Sequence, residues 1–85
     1  MATKIYIGGV SFAMSNERLR ELFAEIGPVE SATLVTDSGS GQSRGYGYVE
    51  MSSAEGAAAA VKKLHRAEVE GRRLTVHLAG PVAGR

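Results

Sequence analysis

Three tyrosines, Tyr6, Tyr46 and Tyr48, with cations scattered about them, are the side chains of this sequence best equipped for chemistry. That chemistry is recognition rather than bond-making. Planar rings offer faces on which flat ligands such as nucleobases stack, and nearby lysines and arginines attract phosphates. Stacking on a ring contributes about 1–3 kcal/mol per base and tolerates any base, whereas phosphate contacts add affinity that salt weakens. Nothing comparable points to catalysis. The chain has no cysteine, hence no disulfide, thiolate nucleophile or cysteine-held metal. His65 and His77, its two histidines, belong to no Ser/His/Asp set and no histidine cluster. The glycine-rich stretch TDSGSGQS, residues 36–43, lacks the Lys-Ser or Lys-Thr ending of a phosphate-binding P-loop. The expectation is therefore no enzyme, no catalytic residue, no metal, no cofactor and no small-molecule substrate.

Size and charge narrow the reading further. With 85 residues, 44% of them hydrophobic, the chain has material for one domain and little volume for an enclosed pocket. Ten Lys plus Arg against nine Asp plus Glu give a net charge of +1, so partner preference depends on where the charges sit. No stretch approaches the ~20 apolar residues of a membrane helix, and Met1 to Lys4 leads straight into a strand pattern without an apolar signal segment. A domain this small, unstapled by disulfides, is expected to stay inside the cell.

The elements that must position the tyrosines follow from periodicity. Lys4 to Gly8 alternates, with Ile5 and Ile7 on one side and Lys4 and Tyr6 on the other, as in a half-buried strand. Ser15 is placed to cap a helix whose apolar stripe is Leu19, Leu22, Phe23 and Ile26, ended by Gly27-Pro28. Val29 to Val35 reads as a second strand, with Ala32 and Leu34 facing inward. TDSGSGQS then forms a flexible hairpin loop, an arm able to close over a bound strand. In the third strand Arg44, Tyr46, Tyr48 and Glu50 share one face, and Gly45, Gly47, Val49 and Met51 the other. Ser52 or Ser53 caps a second helix running through Leu64 with the stripe Ala57, Ala60, Val61 and Leu64; His65 complements its C-terminus. After a turn at Val69 to Gly71, Leu74, Val76 and Leu78 alternate with Arg73, Thr75 and His77 as the fourth strand.

The order β-α-β-β-α-β, with right-handed crossovers, implies an α+β ferredoxin-like sandwich. Its four-stranded antiparallel sheet has strand order 4-1-3-2, with both helices on one face. Ile5, Ile7, Ala32, Leu34, Val49, Met51, Leu74 and Val76 join the helix stripes in the core. Residues of opposite parity face water. Since strands one and three are neighbours, the tyrosines should form one platform fringed by Lys4, Arg44, Arg73 and His77, suited to single-stranded nucleic acid. Gly45 and Gly47 let the helix layer approach from behind. The plainer alternatives are tyrosines that serve only as strand formers, Arg44 as a solubilising residue, and His77 as an exposed strand residue; Glu50 reads as a strand-face acid paired with a nearby cation. Three tyrosines on one exposed face weigh against the first.

These residues resemble a known family. Arg44-Gly45-Tyr46-Gly47-Tyr48-Val49-Glu50-Met51 is similar to the RNP1 motif of the RNA recognition motif, K/R-G-F/Y-G/A-F-V-x-F/Y, and Ile5-Tyr6-Ile7-Gly8-Gly9-Val10 to its RNP2 partner. The likeness runs from Lys4 to about Ala79. It implies that Tyr6 and Tyr48 stack on successive bases, that Tyr46 packs against sugars and that Arg44 pairs with a phosphate. Gly9 departs from the usual RNP2 asparagine, Met51 from a final aromatic and Tyr48 from phenylalanine; none removes a ring. The domain is expected over residues 1–80, with 81–85 a short disordered tail.

The function implied is non-enzymatic binding of single-stranded RNA, about two to four nucleotides per sheet, in a post-transcriptional role. A protein-interaction module working through the helical face is the alternative from another class, and single-stranded DNA shares the stacking physics. A monomer without a membrane partner is expected. The compact chain is similar to small stand-alone bacterial, including cyanobacterial, members of the family, which places it in the cytoplasm; an excised domain of a eukaryotic nuclear protein is the rival.

Overall fold

A computed structural model describes residues 3–79, except for the side chain of Ser43. The elements are β1 (Lys4–Gly8), α1 (Asn16–Ala24), β2 (Val29–Thr36), β3 (Ser43–Met51), α2 (Ala54–Leu64), β4 (Glu68–Val69), β5 (Arg72–Arg73) and β6 (Thr75–Leu78). β2, β3, β1 and β6 form one sheet in that order, each pair antiparallel, which is the expected 4-1-3-2 arrangement with β6 as the fourth strand. The tail expected over residues 81–85 lies outside the described residues. Among the described residues no helix is long and apolar enough to cross a membrane.

Both helices begin where a serine can satisfy their open N–H groups. Ser15 Oγ accepts from Arg18 N and Ser53 Oγ from Gly56 N, each at 3.0 Å, with Glu17 and Glu55 in the first turns. α1 stops earlier than the Gly27-Pro28 signal suggests: Glu25 caps it in right-handed geometry, and Gly27 does not adopt a left-handed turn. Gly27 serves packing instead, since a Cβ there would lie 3.5 Å from Met51 Cε and 3.8 Å from Gly56 Cα.

The core lies between sheet and helices. It holds Ile5, Ile7, Leu19, Phe23, Leu34, Val49, Met51, Ala57, Ala60, Leu74 and Val76 as expected, together with Val10 and Met14 from the β1–α1 connection. Ala32, Leu22, Ile26, Val61 and Leu64 are half-buried against it. No polar or charged side chain is buried among the described residues, so the layer rests on apolar burial alone.

Two local features, at Leu74 and at His65, differ from the reading of the sequence. The fourth strand is broken at Leu74, whose N–H donates to the Ala67 carbonyl and whose carbonyl accepts from Arg66 N. Arg73 therefore pairs with Glu68 in a separate β4–β5 ribbon, turned by Glu70 and Gly71 at φ 53° and 80°. Leu78, on the edge strand, is 47% exposed. His65 is tied to the sheet rather than only to its own helix, because its Nδ1 accepts from Val76 N at 3.1 Å. The Thr36 to Ser43 loop is a hydrogen-bonded hairpin: Asp37 N donates to the Gln42 carbonyl at 2.8 Å, and Asp37 Oδ1 accepts from Gly39 N at 2.7 Å.

Candidate nucleic-acid interface

Antiparallel register, not sequence spacing, decides which rings meet. Tyr6 on β1 lies directly opposite Tyr48 on β3 and His77 on β6, and Tyr48 in turn lies opposite Thr33 on β2. One row across the open face thus reads Thr33, Tyr48, Tyr6, His77. The next row places Tyr46 opposite Gly8, and Gly8 opposite Thr75. On the other flank Glu50 lies between Lys4 and Ser31.

The Tyr6 ring is the hub of this surface. Its centroid lies 5.9 Å from those of both Tyr46 and Tyr48, and 6.3 Å from His77, whose ring is within 11° of parallel to it. Tyr46 and Tyr48 meet edge to face at 6.4 Å, an arrangement that favours aromatic pairs. All three tyrosines are half-buried and His77 is exposed, so the rings steady one another while keeping surface open to a ligand. Lys4 Nζ sits 4.9 Å above the Tyr48 ring, a cation–π contact that brings positive charge to the platform. His77 is backed by His65, 5.5 Å away between ring centroids.

Glycines shape the platform as much as tyrosines. Tyr6 folds along its own strand over Gly8, where a Cβ would stand 2.7 Å from the phenolic oxygen. Gly47 is bare because of the next strand: a Cβ there would lie 2.6 Å from the Thr33 carbonyl oxygen and 3.0 Å from Leu34 Cα. The constraint expected from the helix layer thus comes from β2. Gly45 adopts φ 85° in a stretch where the β2–β3 register shifts, and its carbonyl accepts from Val10 N at 2.9 Å.

Five of the seven residues singled out in the sequence therefore come together: Tyr6, Tyr46, Tyr48, Lys4 and His77. Arg44 is exposed just beyond the Gly45 irregularity, outside the paired rows. Arg73 is exposed in the β4–β5 ribbon, off the four-stranded sheet. Phe12 was missed. It is 69% exposed, its Cε1 lies 3.4 Å from the Cβ position of Gly45, and Arg72 stands 5.9 Å over its ring. The one available signal was a lone phenylalanine in a segment without periodicity. Among the described residues no three of His, Cys, Asp or Glu converge as a metal site would need.

Comparison with known proteins matches this geometry. Putative RNA-binding protein RbpA of Nostoc sp. is 44% identical over 77 residues, 91% of this chain and 76% of that protein. The mitochondrial glycine-rich RNA-binding protein 4 of Arabidopsis thaliana is 35% identical over 79 residues, 93% of this chain but 58% of that protein. The chain spans only 28% of the chloroplastic RNA-binding protein CP31B of the same plant, at 39% identity. Among solved structures, the RNA-binding protein PG1 superposes with a TM-score of 0.88 at 37% identity, over 92% of this chain and 94% of that one. An Sxl-lethal protein/RNA complex gives 0.90 at 28% identity, over 99% of this chain and 50% of that one. Relatives thus include cyanobacterial, mitochondrial and chloroplastic proteins. With residues 5–75 matching the model of the RNA recognition motif, the chain belongs to the RNA recognition motif family.

Proposed function

We infer that this chain binds single-stranded RNA on the open face of its sheet. The observation that carries the reading is the row Tyr48–Tyr6–His77, three rings in register on three neighbouring strands with Tyr46 against the middle one. Adjacent stacking faces on a platform edged by a lysine suit successive bases of an unpaired strand. In this reading Tyr6 and Tyr48 stack on consecutive bases and Tyr46 packs against sugars. Lys4 and Arg44 attract phosphates, His77 extends the stack, and Arg73 approaches the strand from the ribbon. The names of the relatives and the RNA complex of a structural neighbour support the same ligand class.

The role is binding without turnover, performed by a monomer because one chain carries a whole platform. The likeness to the Nostoc protein favours a bacterial cytoplasm as its setting. Single-stranded DNA stacks by the same physics and differs in the absent 2′-OH.

The test is fluorescence anisotropy of labelled random-sequence RNA and DNA oligomers, titrated with wild type and with a Tyr6→Ala/Tyr48→Ala variant checked for folding by circular dichroism. Binding by wild type and none by the folded variant is expected. Equal binding by both would move the site off the sheet.

A further inference from the structure

Beside the Tyr48 ring the open face sinks into a polar cleft of about 210 Å³, lined by Lys4, Ser31, Thr33, Tyr48, Val49 and Glu50. Among the described residues in register on the open face, Glu50 carries the one carboxylate. Its presence is paradoxical on a surface for polyanions, because a negative charge repels phosphates. A carboxylate only accepts hydrogen bonds, so what suits it is a ligand edge made of N–H donors. The Thr3 hydroxyl donates to Glu50 Oε2, which anchors the group; each carboxylate oxygen has two lone pairs, so one such bond leaves both oxygens able to accept from a base.

Base chemistry selects the occupant. The Watson–Crick edge of guanine sets two donors, N1–H and N2–H, side by side in the fork that a carboxylate accepts, next to the O6 acceptor. Adenine and cytosine each place a ring-nitrogen lone pair beside their amino group, which would face a carboxylate oxygen. Uracil flanks its single N3–H with two carbonyls. A cation for O6 is within reach: Lys4 lies opposite Glu50 in register, and its Nζ, 4.9 Å above the Tyr48 ring, swings on its flexible stem to the edge of a base that stacks there.

Building on the RNA-binding reading of the platform, we propose that this cleft reads guanine: Glu50 accepts from N1–H and N2–H, Lys4 donates to O6, and Tyr48 carries the base by stacking. Ser31 and Thr33, whose hydroxyls both donate and accept, line the cleft without vetoing the choice.

The experiment compares short uridine-tract RNAs that differ at one central base, guanine, inosine or adenine, by anisotropy at fixed salt. Wild type should prefer guanine over adenine by about 5- to 150-fold, the range of a bidentate base contact. Inosine, lacking the N2 amino group, should fall between. Glu50→Gln keeps an acceptor for the Thr3 hydroxyl but turns a donor toward the base; it should abolish the guanine preference while binding of the all-uridine tract holds or improves. Lys4→Met should narrow the guanine-to-adenine ratio through the other partner. Equal binding of guanine and adenine by wild type, or an undiminished preference in Glu50→Gln, would overturn the proposal. Failure of folded wild type to bind any of the RNAs would instead overturn the platform reading, and the guanine proposal with it.

Discussion

Replacing Tyr6 with alanine removes the ring that touches every other ring on the sheet face. Two costs follow, and they fall on different observables. The binding cost begins with one lost stacking surface, about 1–3 kcal/mol. Tyr6 also holds Tyr46, Tyr48 and His77 at 5.9, 5.9 and 6.3 Å, so its loss loosens three more faces and places the effect in the upper half of that range. At 1.4 kcal/mol per factor of ten, the dissociation constant should rise about 30- to 150-fold. The stability cost is bounded by burial. A tyrosine that buries itself covers about 150–250 Å², and half of that at about 25 cal/mol per Å² is an upper bound of about 3 kcal/mol. Small domains hold about 5 kcal/mol or more, so the variant stays folded in the cold. Anisotropy with a short labelled RNA at fixed low salt gives the dissociation constant, and circular dichroism on the same samples gives the folded fraction. Tyr6→Phe keeps the face and should bind within about threefold of wild type. A folded Tyr6→Ala that binds as well as wild type would refute stacking as the source of affinity; a Tyr6→Phe as damaged as Tyr6→Ala would assign the contribution to the hydroxyl.

Gly47→Ala should destabilise by about 1–3 kcal/mol, because its Cβ meets backbone atoms of Thr33 and Leu34 at 2.6 and 3.0 Å and neither can swing away. A thermal melt should drop by about 4–8 °C per kcal/mol; an unchanged melt would mean that β2 and β3 part freely. Arg44→Ala should lower the slope of log affinity against log salt by about 0.7, one phosphate's share on a single strand, and an unchanged slope would remove Arg44 from the phosphate contacts. His65→Ala strips the Val76 amide of its acceptor and should cost about 1–3 kcal/mol. Amide hydrogen exchange at Val76 is the check, and undiminished protection there would show that the bond carries no stability.

The period of two in β1 and β3 puts Tyr6, Tyr46, Tyr48, Lys4 and Glu50 on one face, and the 3.6-residue stripes identify the layer behind them. What period cannot supply is register. That Tyr6 sits between Tyr48 and His77 depends on where each hairpin turns, and the irregularity at Gly45 leaves Arg44 outside the rows its parity suggested. The same limit explains Gly47, whose obstacle is a carbonyl on a strand more than ten residues earlier in the chain. Alternation assigns Arg73 to the fourth strand, but Leu74 spends both backbone groups on Ala67 and Arg66, a choice invisible in an alternating pattern. Val10, Phe12 and Met14 lie in a connection with no period at all, yet two of them are core and the third is the most exposed large apolar side chain described.

The ring of Tyr6 rests over a residue without a side chain, and this changes how drift in such a chain should be diagnosed. A chain could keep Tyr6, Tyr46 and Tyr48 through any number of generations, and still match a motif built on aromatic identity, while acquiring a larger residue at position 8. The phenol would then be levered upward, since the atom a Cβ meets at 2.7 Å is the free end of a movable side chain and not the frame. The fold would survive and the surface would no longer be level. Loss of the activity would be written in an aliphatic substitution that no survey of aromatic positions would flag, and anyone transplanting this surface onto another sheet must carry the empty position along with the rings.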